Sequence, residues 1–333
     1  MHPAPLTREV WTVDADAFPR DGSIEDQARF LLRYAILAPS SHNSQPWEFR
    51  IEGDSIEIRA AEDRRLPVAD EDDGELFLSL GCAIENLAIA GAHFAFGYRI
   101  EYPEDAPPVA IVTLEPDGSP SPAPPPGLFE QLTERYTNHQ PFEERPLPEG
   151  LRDRLQASVV ESDVELRLID DPDQMASIAE LQAEADRKLM ANPDYRRELG
   201  HWIGTGVLGH SWVAARIGEL VVSHLDLGDR EAQKNATLLE SAPAIGVLVA
   251  ETEEPRSLIG TGRAFERLAL LATAEGVAVH PMSQILERAE TTGALATRLD
   301  TEPAQPRHLF RLGYAADTQR HTPRWPPEAV IIE

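Results

Sequence analysis

Residues 36–51 read "ILAPSSHNSQPWEFRI". The stretch ends a run, "IEDQARFLLRYAILA" (24–38), whose apolar residues recur at helical spacing, and it enters "WEFRIEGDSIEIRAA", whose alternation predicts a hairpin. Pro39 stops the helix, Ser40 or Ser41 suits a cap, and Trp47 belongs to the core because it leads into the alternating strand. Locally the loop is therefore a helix end. Its concentration of serine, asparagine and glutamine between two prolines raises the further question of what it holds.

Composition narrows the answer. A chain of 333 residues, 42% of them hydrophobic, can build a large core, and 30 basic against 57 acidic residues leave a net charge of −27. That charge repels nucleic-acid backbones and anionic membrane surfaces, so neither is an expected partner. The single cysteine, Cys82, forms no intrachain disulfide and reads as a small buried hydrophobe on an apolar helix. The N-terminal residues lack the pattern of a secretory signal, and the longest purely apolar stretch, "APAIGVLVA" (242–250), is too short for a bilayer. A cytoplasmic soluble protein is the expectation.

Working outward, "GELFLSLGCAIENLAIAGAHFAFG" predicts a buried helix and "PPVAIVTLEP" a strand, after which "PDGSPSPAPPPG" (116–127) admits neither. This punctuation divides the chain into a first half, 1–118, a linker, 119–127, and a second half, 128–333. The second half predicts a helix at "GLFEQLTERYT", a strand at 164–171, a long helical insertion over about 173–222, and then "AIGVLVAE" as a buried strand. A second buried helix and a strand near "RHLFRLGYA" follow. Interleaved helices and strands of this kind indicate an α+β sandwich. The halves also match each other, since "GCAIENLAIAGAHFAFG" (81–97) aligns with "GRAFERLALLATAEG" (262–276), pairing Glu85 with Glu266 and Leu87 with Leu268.

The opening loop resembles the flavin-contacting segment of the nitroreductase superfamily. The resemblance continues through "DRRLPVADEDDGELFLSLGCAIENL", "ERYTNHQPFEERPLP" and "RLGYAADTQRHTPRWPP", and it is strongest to the Acg-type branch, whose single chains carry two nitroreductase-like modules. It implies a sandwich duplicated in one chain as a pseudo-dimer, binding FMN between its halves, and a monomer or a homodimer in solution. It further implies that Pro39, Ser40, Ser41, Asn43 and Gln45 contact the cofactor. "RYTNH" matches the phosphate segment and contributes Arg135, Thr137 and His139. "VAVHPMSQ" implies Pro281 and Ser283 beside the ring, and "QRHTPRWP" implies a late basic residue at the phosphate, with Arg324 preferred to Arg320. If His139 is a contact, binding weakens as its imidazole loses its proton near neutral pH.

The loop and the phosphate segment fall in opposite halves. The stretch before the first loop carries three aspartates and no basic phosphate segment, and "DRLQASVVESDVELRL" stands where a second proline-serine loop is due. One composite site per chain is therefore expected, with its mirror site dead. "GTGVLG" (204–209) follows a charged helical stretch and not a buried strand, so it is no dinucleotide fingerprint. No histidine pair has ligand spacing beside a carboxylate, and no metal is expected. In the family, NAD(P)H reduces the flavin and a nitroaromatic, quinone or similar small acceptor reoxidises it, the flavin performing the chemistry and the protein the positioning. No catalytic side chain is assigned on this reading. The alternative is an FMN-sequestering protein whose insertion covers the site.

Overall fold

A computed structural model describes residues 5–333 apart from 105, 106, 117, 121, 122 and 317–320. The first half opens with α1 (Ile24–Ala35), started by a capping box in which Ser23 and Asp26 satisfy each other's backbone amides. The hairpin β1 (Trp47–Glu52) and β2 (Ser55–Ala60) follows, turning at Gly53 with φ 62°. Next come α2 (Gly74–His93), β3 (Phe96–Glu101) and β4 (Ala110–Pro116), and the strands form an antiparallel sheet in the order β1-β2-β4-β3.

The second half repeats this plan. After α3 (Leu151–Ser158) and β5 (Val164–Ile169), the chain inserts α4 (Pro172–Ala191), α5 (Pro193–Thr205), α6 (Trp212–His224) and α7 (Gly228–Glu240). It then continues as β6 (Ala244–Ala250), α8 (Pro255–Ala274), β7 (Ala278–Pro281), α9 (Ala289–Leu299) and β8 (Gln305–Gly313). The sheet order β5-β6-β8-β7 reproduces that of the first half strand for strand, again all antiparallel. The α+β fold and the duplication expected from the sequence are both present.

α2 packs on the first sheet, α8 on the second, and the two helices on each other. Each is buried nearly all round, which explains apolar composition without a clean stripe. They cross at the aligned glycines. A Cβ on Gly81 would fall closer than 3.0 Å to the Ile259 carbonyl oxygen, and one on Gly262 would do the same to Leu78, each target one helical turn before the other glycine. The halves are further tied by the C-terminal residues, because Val330–Ile332 bond to both main-chain groups of Phe49 (2.8 Å each) and extend the first sheet beyond β1.

Two expectations need correction. The insertion runs to Glu240 and contains four helices, further than the 173–222 read from sequence. The predicted helix at "GLFEQLTERYT" is only a short 3-10 turn, Phe129–Gln131. One turn is a costly helix nucleus, the threonines that follow are poor propagators, and the segment instead extends so that Thr137 pairs with Val279 on β7.

Candidate functional site

The end of α1 is where the sequence-predicted residues meet. Arg135 Nη2 donates to Leu37 O (2.8 Å), and Arg324 Nη2 donates to Ala38 O (3.1 Å) and more weakly to Leu37 O (3.4 Å). Arg135 reaches this point from the second half. Its Nε lies 3.1 Å from Glu266 Oε1 on α8, and Asn86 on α2, in the orientation that satisfies both neighbours, links the same oxygen (2.9 Å) to Ala38 N (3.2 Å). Arg324 is held by main-chain pairing with Thr7 and by the Trp11 ring, 5.0 Å from its guanidinium carbon.

Both arginines are buried, and Glu266 is the carboxylate that faces them. Burial and the neighbouring Arg135 pull the Arg324 guanidinium down to about 9, with Glu266 only partly opposing. Burial likewise raises the Glu266 carboxyl, against the pull of Arg135. Arg135 Nε is engaged with Glu266, and the Nε of Arg324 is left without a hydrogen-bond acceptor among the described residues. Among the described residues, two buried cations beside the Glu266 carboxylate, one of them with a donor left over, fit a dianionic phosphate.

The pseudo-symmetric place is chemically complete. Glu85, aligned with Glu266, binds Arg263 (3.0 Å) and Arg267 (2.8 Å), both from α8. Arg267 Nη1 donates to Ser158 O at the end of α3 (2.7 Å), as Arg135 does at the end of α1, and Glu161 also pairs with it (3.1 Å). Burial lowers both arginines, but the carboxylates outweigh it and hold Arg263 and Arg267 above the ordinary value, the opposite of Arg324. Two acids against two bases leave no charge for a ligand to satisfy.

The loop residues divide by task. Ser40 Oγ accepts from Gln45 N (2.9 Å), and Gln45 Oε1 accepts from Trp325 N (2.9 Å). Asn43 donates to Val207 O between α5 and α6 (2.7 Å) and to Pro323 O (3.0 Å), so it ties the loop to the insertion and the C-terminal segment. His42, Asn43 and Gln45 all adopt positive φ, near 50°, which gives the loop its compact turn. Pro39 lies between α1 and Ser40, and Pro281 ends β7. Ser41 donates to Glu75 Oε2 (3.1 Å) in the first turn of α2, a partner that sequence reading missed, and Ser283 opens the 3-10 turn that follows β7.

Thr137 sits on the β7 edge, opposite Val279. His139 joins a different basic group. Its ring lies 4.3 Å from that of His280, which accepts from Arg311 Nε (2.9 Å). Burial, then Lys234 and Arg311, pull His139 down to about 4. Arg320 lies outside the described residues. Cys82 and Trp47 are buried as expected, and among the described residues no cluster of three metal-ligating side chains occurs. An open groove of about 890 Å3 between α1, the end of β1 and Pro327–Glu333 contains none of the predicted residues.

The insertion covers the loop from outside. Glu198 on α5 accepts from Val68 N (3.0 Å) and Ala69 N (2.8 Å), Arg8 donates to Gly209 O (2.7 Å), and Trp202, Tyr195 and Val207 pack with Leu66 and Ala69.

No protein-family profile matches the chain. It is 28% identical over 326 residues to a Mycobacterium tuberculosis protein with the provisional name NAD(P)H nitroreductase Rv3131, covering 91% of this chain and 92% of the other. It is 24% identical over 311 residues to the M. tuberculosis protein provisionally named NAD(P)H nitroreductase acg, covering 90% and 93%. Among solved structures, the FMN-dependent nitroreductase NfnB of Mycobacterium smegmatis, in complex with NADPH, aligns over 61% of this chain and 91% of its own at 17% identity and a TM-score of 0.40.

Proposed function

The chain belongs to the nitroreductase superfamily, and from that premise we propose that it is an FMN-dependent oxidoreductase with one composite flavin site, taking electrons from NAD(P)H and passing them to a nitroaromatic, quinone or similar small acceptor. The observation that carries this reading is the pair Arg135 and Arg324, converging from distant parts of the chain on the Leu37 and Ala38 carbonyls, with Glu266 paired to Arg135. Arg135, Arg324 and Thr137 bind the phosphate, charge-assisted and shielded from bulk water. Pro39, Ser40, Ser41, Pro281 and Ser283 border the ring. FMN, when bound, supplies the hydride and electron chemistry. The side chains of this protein orient it and limit access.

The same geometry supports a second reading, flavin storage with little turnover, through one contact: Asn43 in the loop is bonded to Val207 in the insertion. Purified protein separates them. A yellow protein with an FMN spectrum, bleached by NADH or NADPH and reoxidised by a nitroaromatic or quinone, is the expected result. A yellow protein that resists bleaching supports storage, and a colourless protein that takes up no added FMN overturns both.

A further inference from the structure

Large apolar side chains are nearly all covered in this protein, and the exceptions gather on one helix. Among the described residues, Val213, Ile217, Leu220 and Val221 of α6 are exposed, as is Leu225 at its C-terminal cap, and Val160 is the one such residue elsewhere. Val213, Ile217 and Leu220 recur at intervals of four and three residues, so they form a single stripe, which Val221 widens. Ile217 and Leu220 at its middle are 58% and 62% exposed.

α6 cannot hide this stripe by rolling onto α5, because its opposite face is already fitted there. A Cβ on Gly200 or Gly204 of α5 would fall closer than 3.0 Å to Ser223 Oγ or to the Glu219 carboxylate of α6, and one on Gly218 of α6 would do the same to Ile203 of α5. Ala215 is fully covered on that inner side. The hairpin is closed by its own small residues, and the stripe is what it presents outward.

Charge and spacing indicate what can cover it. Residues 200–225 contain one acid and one base, Glu219 and Arg216, and these pair with each other, in a chain whose net charge is −27. Two such chains repel on approach, but a contact confined to this neutral face brings no like charges together. A nucleic acid or an anionic lipid is repelled by the chain as a whole, and a basic segment finds no unpaired carboxylate within 200–225. The four-three spacing is that of a seam between two helices, which a second α6 supplies. Laid antiparallel, each helix sets Ile217 against Leu220 of the other, an isologous contact that closes on itself.

We propose that α6 is a self-association face, through which two copies of this chain pair by antiparallel packing of their exposed stripes. The stripe offers on the order of 400 Å2 per copy, large enough to mark an interaction but short of the roughly 800 Å2 per partner of a standard interface. Pairing is therefore reversible and depends on concentration. The proposal is independent of the flavin reading.

Sedimentation velocity of the full chain from about 1 to 100 μM tests it. The wild type is expected to shift with concentration toward twice the 36.8 kDa of one chain. Ile217→Glu and Ile217→Lys, at an exposed helical position that tolerates both residues, are each expected to weaken pairing by about 100-fold or more, because both copies carry the charge. Mixing the two variants sets opposite charges across the two-fold axis and should restore the dimer. A wild type that stays monomeric throughout overturns the proposal, as does a dimer that Ile217→Glu leaves intact or a mixture that stays monomeric. If the Ile217 variants do not fold, Leu220→Glu and Leu220→Lys decide by the same criteria. A monomeric wild type that co-sediments with phosphatidylcholine vesicles gives the stripe to a lipid surface instead and also overturns it.

Discussion

Gly81 and Gly262 lie against each other's helices at the centre of the molecule, each with no room for a methyl group before a main-chain oxygen of the opposite helix. Backbone cannot move aside as a flexible side chain can. Gly81→Ala and Gly262→Ala are each expected to cost about 3 kcal/mol or more, at or beyond the usual overpacking range, and to lower the Tm or leave the protein insoluble. A Tm unchanged in either variant contradicts the close crossing.

Removing Arg135 takes away a buried cation from the proposed phosphate site. Arg135→Ala is expected to weaken FMN binding about 10- to 100-fold, in line with a loss of about 1.5–3 kcal/mol for a charged hydrogen bond. Arg324→Ala should do the same although it lies elsewhere in the sequence. Equilibrium titration with FMN reads both, and undiminished affinity in both contradicts a composite site.

Glu85 and Arg267 have the opposite character. Arg267→Ala leaves Glu85 and Glu161 buried with fewer partners, so a loss of about 3–5 kcal/mol in stability is expected with FMN affinity unchanged. Denaturant unfolding and FMN titration of the same variant give both numbers. The wild type should bind one FMN per chain, and a stoichiometry near two contradicts a mirror site filled by its own side chains.

Asn43→Ala deletes the bonds to Val207 O and Pro323 O without touching the arginine pair. Two buried carbonyls lose a donor, which costs about 1–3 kcal/mol locally. Faster exchange of bound FMN and faster protease cleavage near 206–211 should follow. Equal exchange rates in wild type and variant would remove Asn43 as the tie between loop and insertion.

Asp70 sets a pH dependence of stability. Burial first, then Glu75, raises its carboxyl from 3.8 to about 7, so the folded protein holds a proton that the unfolded chain releases. The resulting stabilisation is complete below the unfolded value and is lost as pH rises through about 7. The Tm should therefore fall from pH 5 to pH 8, and Asp70→Asn should flatten that slope. An equally steep slope in the variant assigns the effect elsewhere.

Much of this was legible in the sequence because it rests on local pattern. The hairpin at 47–60, the buried helices and the repeat that pairs Gly81 with Gly262 all follow from spacing and alignment. The convergence of Arg135 with the first-half loop followed from the family resemblance. What stayed hidden depends on contacts across the repeat. Glu75 looks like an ordinary acidic residue in a first helical turn until the fold sets His308 of β8 beside it (3.8 Å). Arg263 and Arg267 look like a charged helix face until Glu85 and Glu161 meet them. The short turn at Phe129–Gln131 was misread because its apolar spacing suits a helix, while the pairing of Thr137 with Val279 demands extended chain.

The strand pairing of Val330–Ile332 with Phe49 changes what the proline-rich stretch divides. Cut there, the first piece would expose the β1 edge and lack Arg135 and Arg324, and the second would lack the Leu37 and Ala38 carbonyls on which those arginines rest. The stretch separates two copies of a pattern. The contacts that close the first sheet and hold the arginine pair cross from one copy to the other.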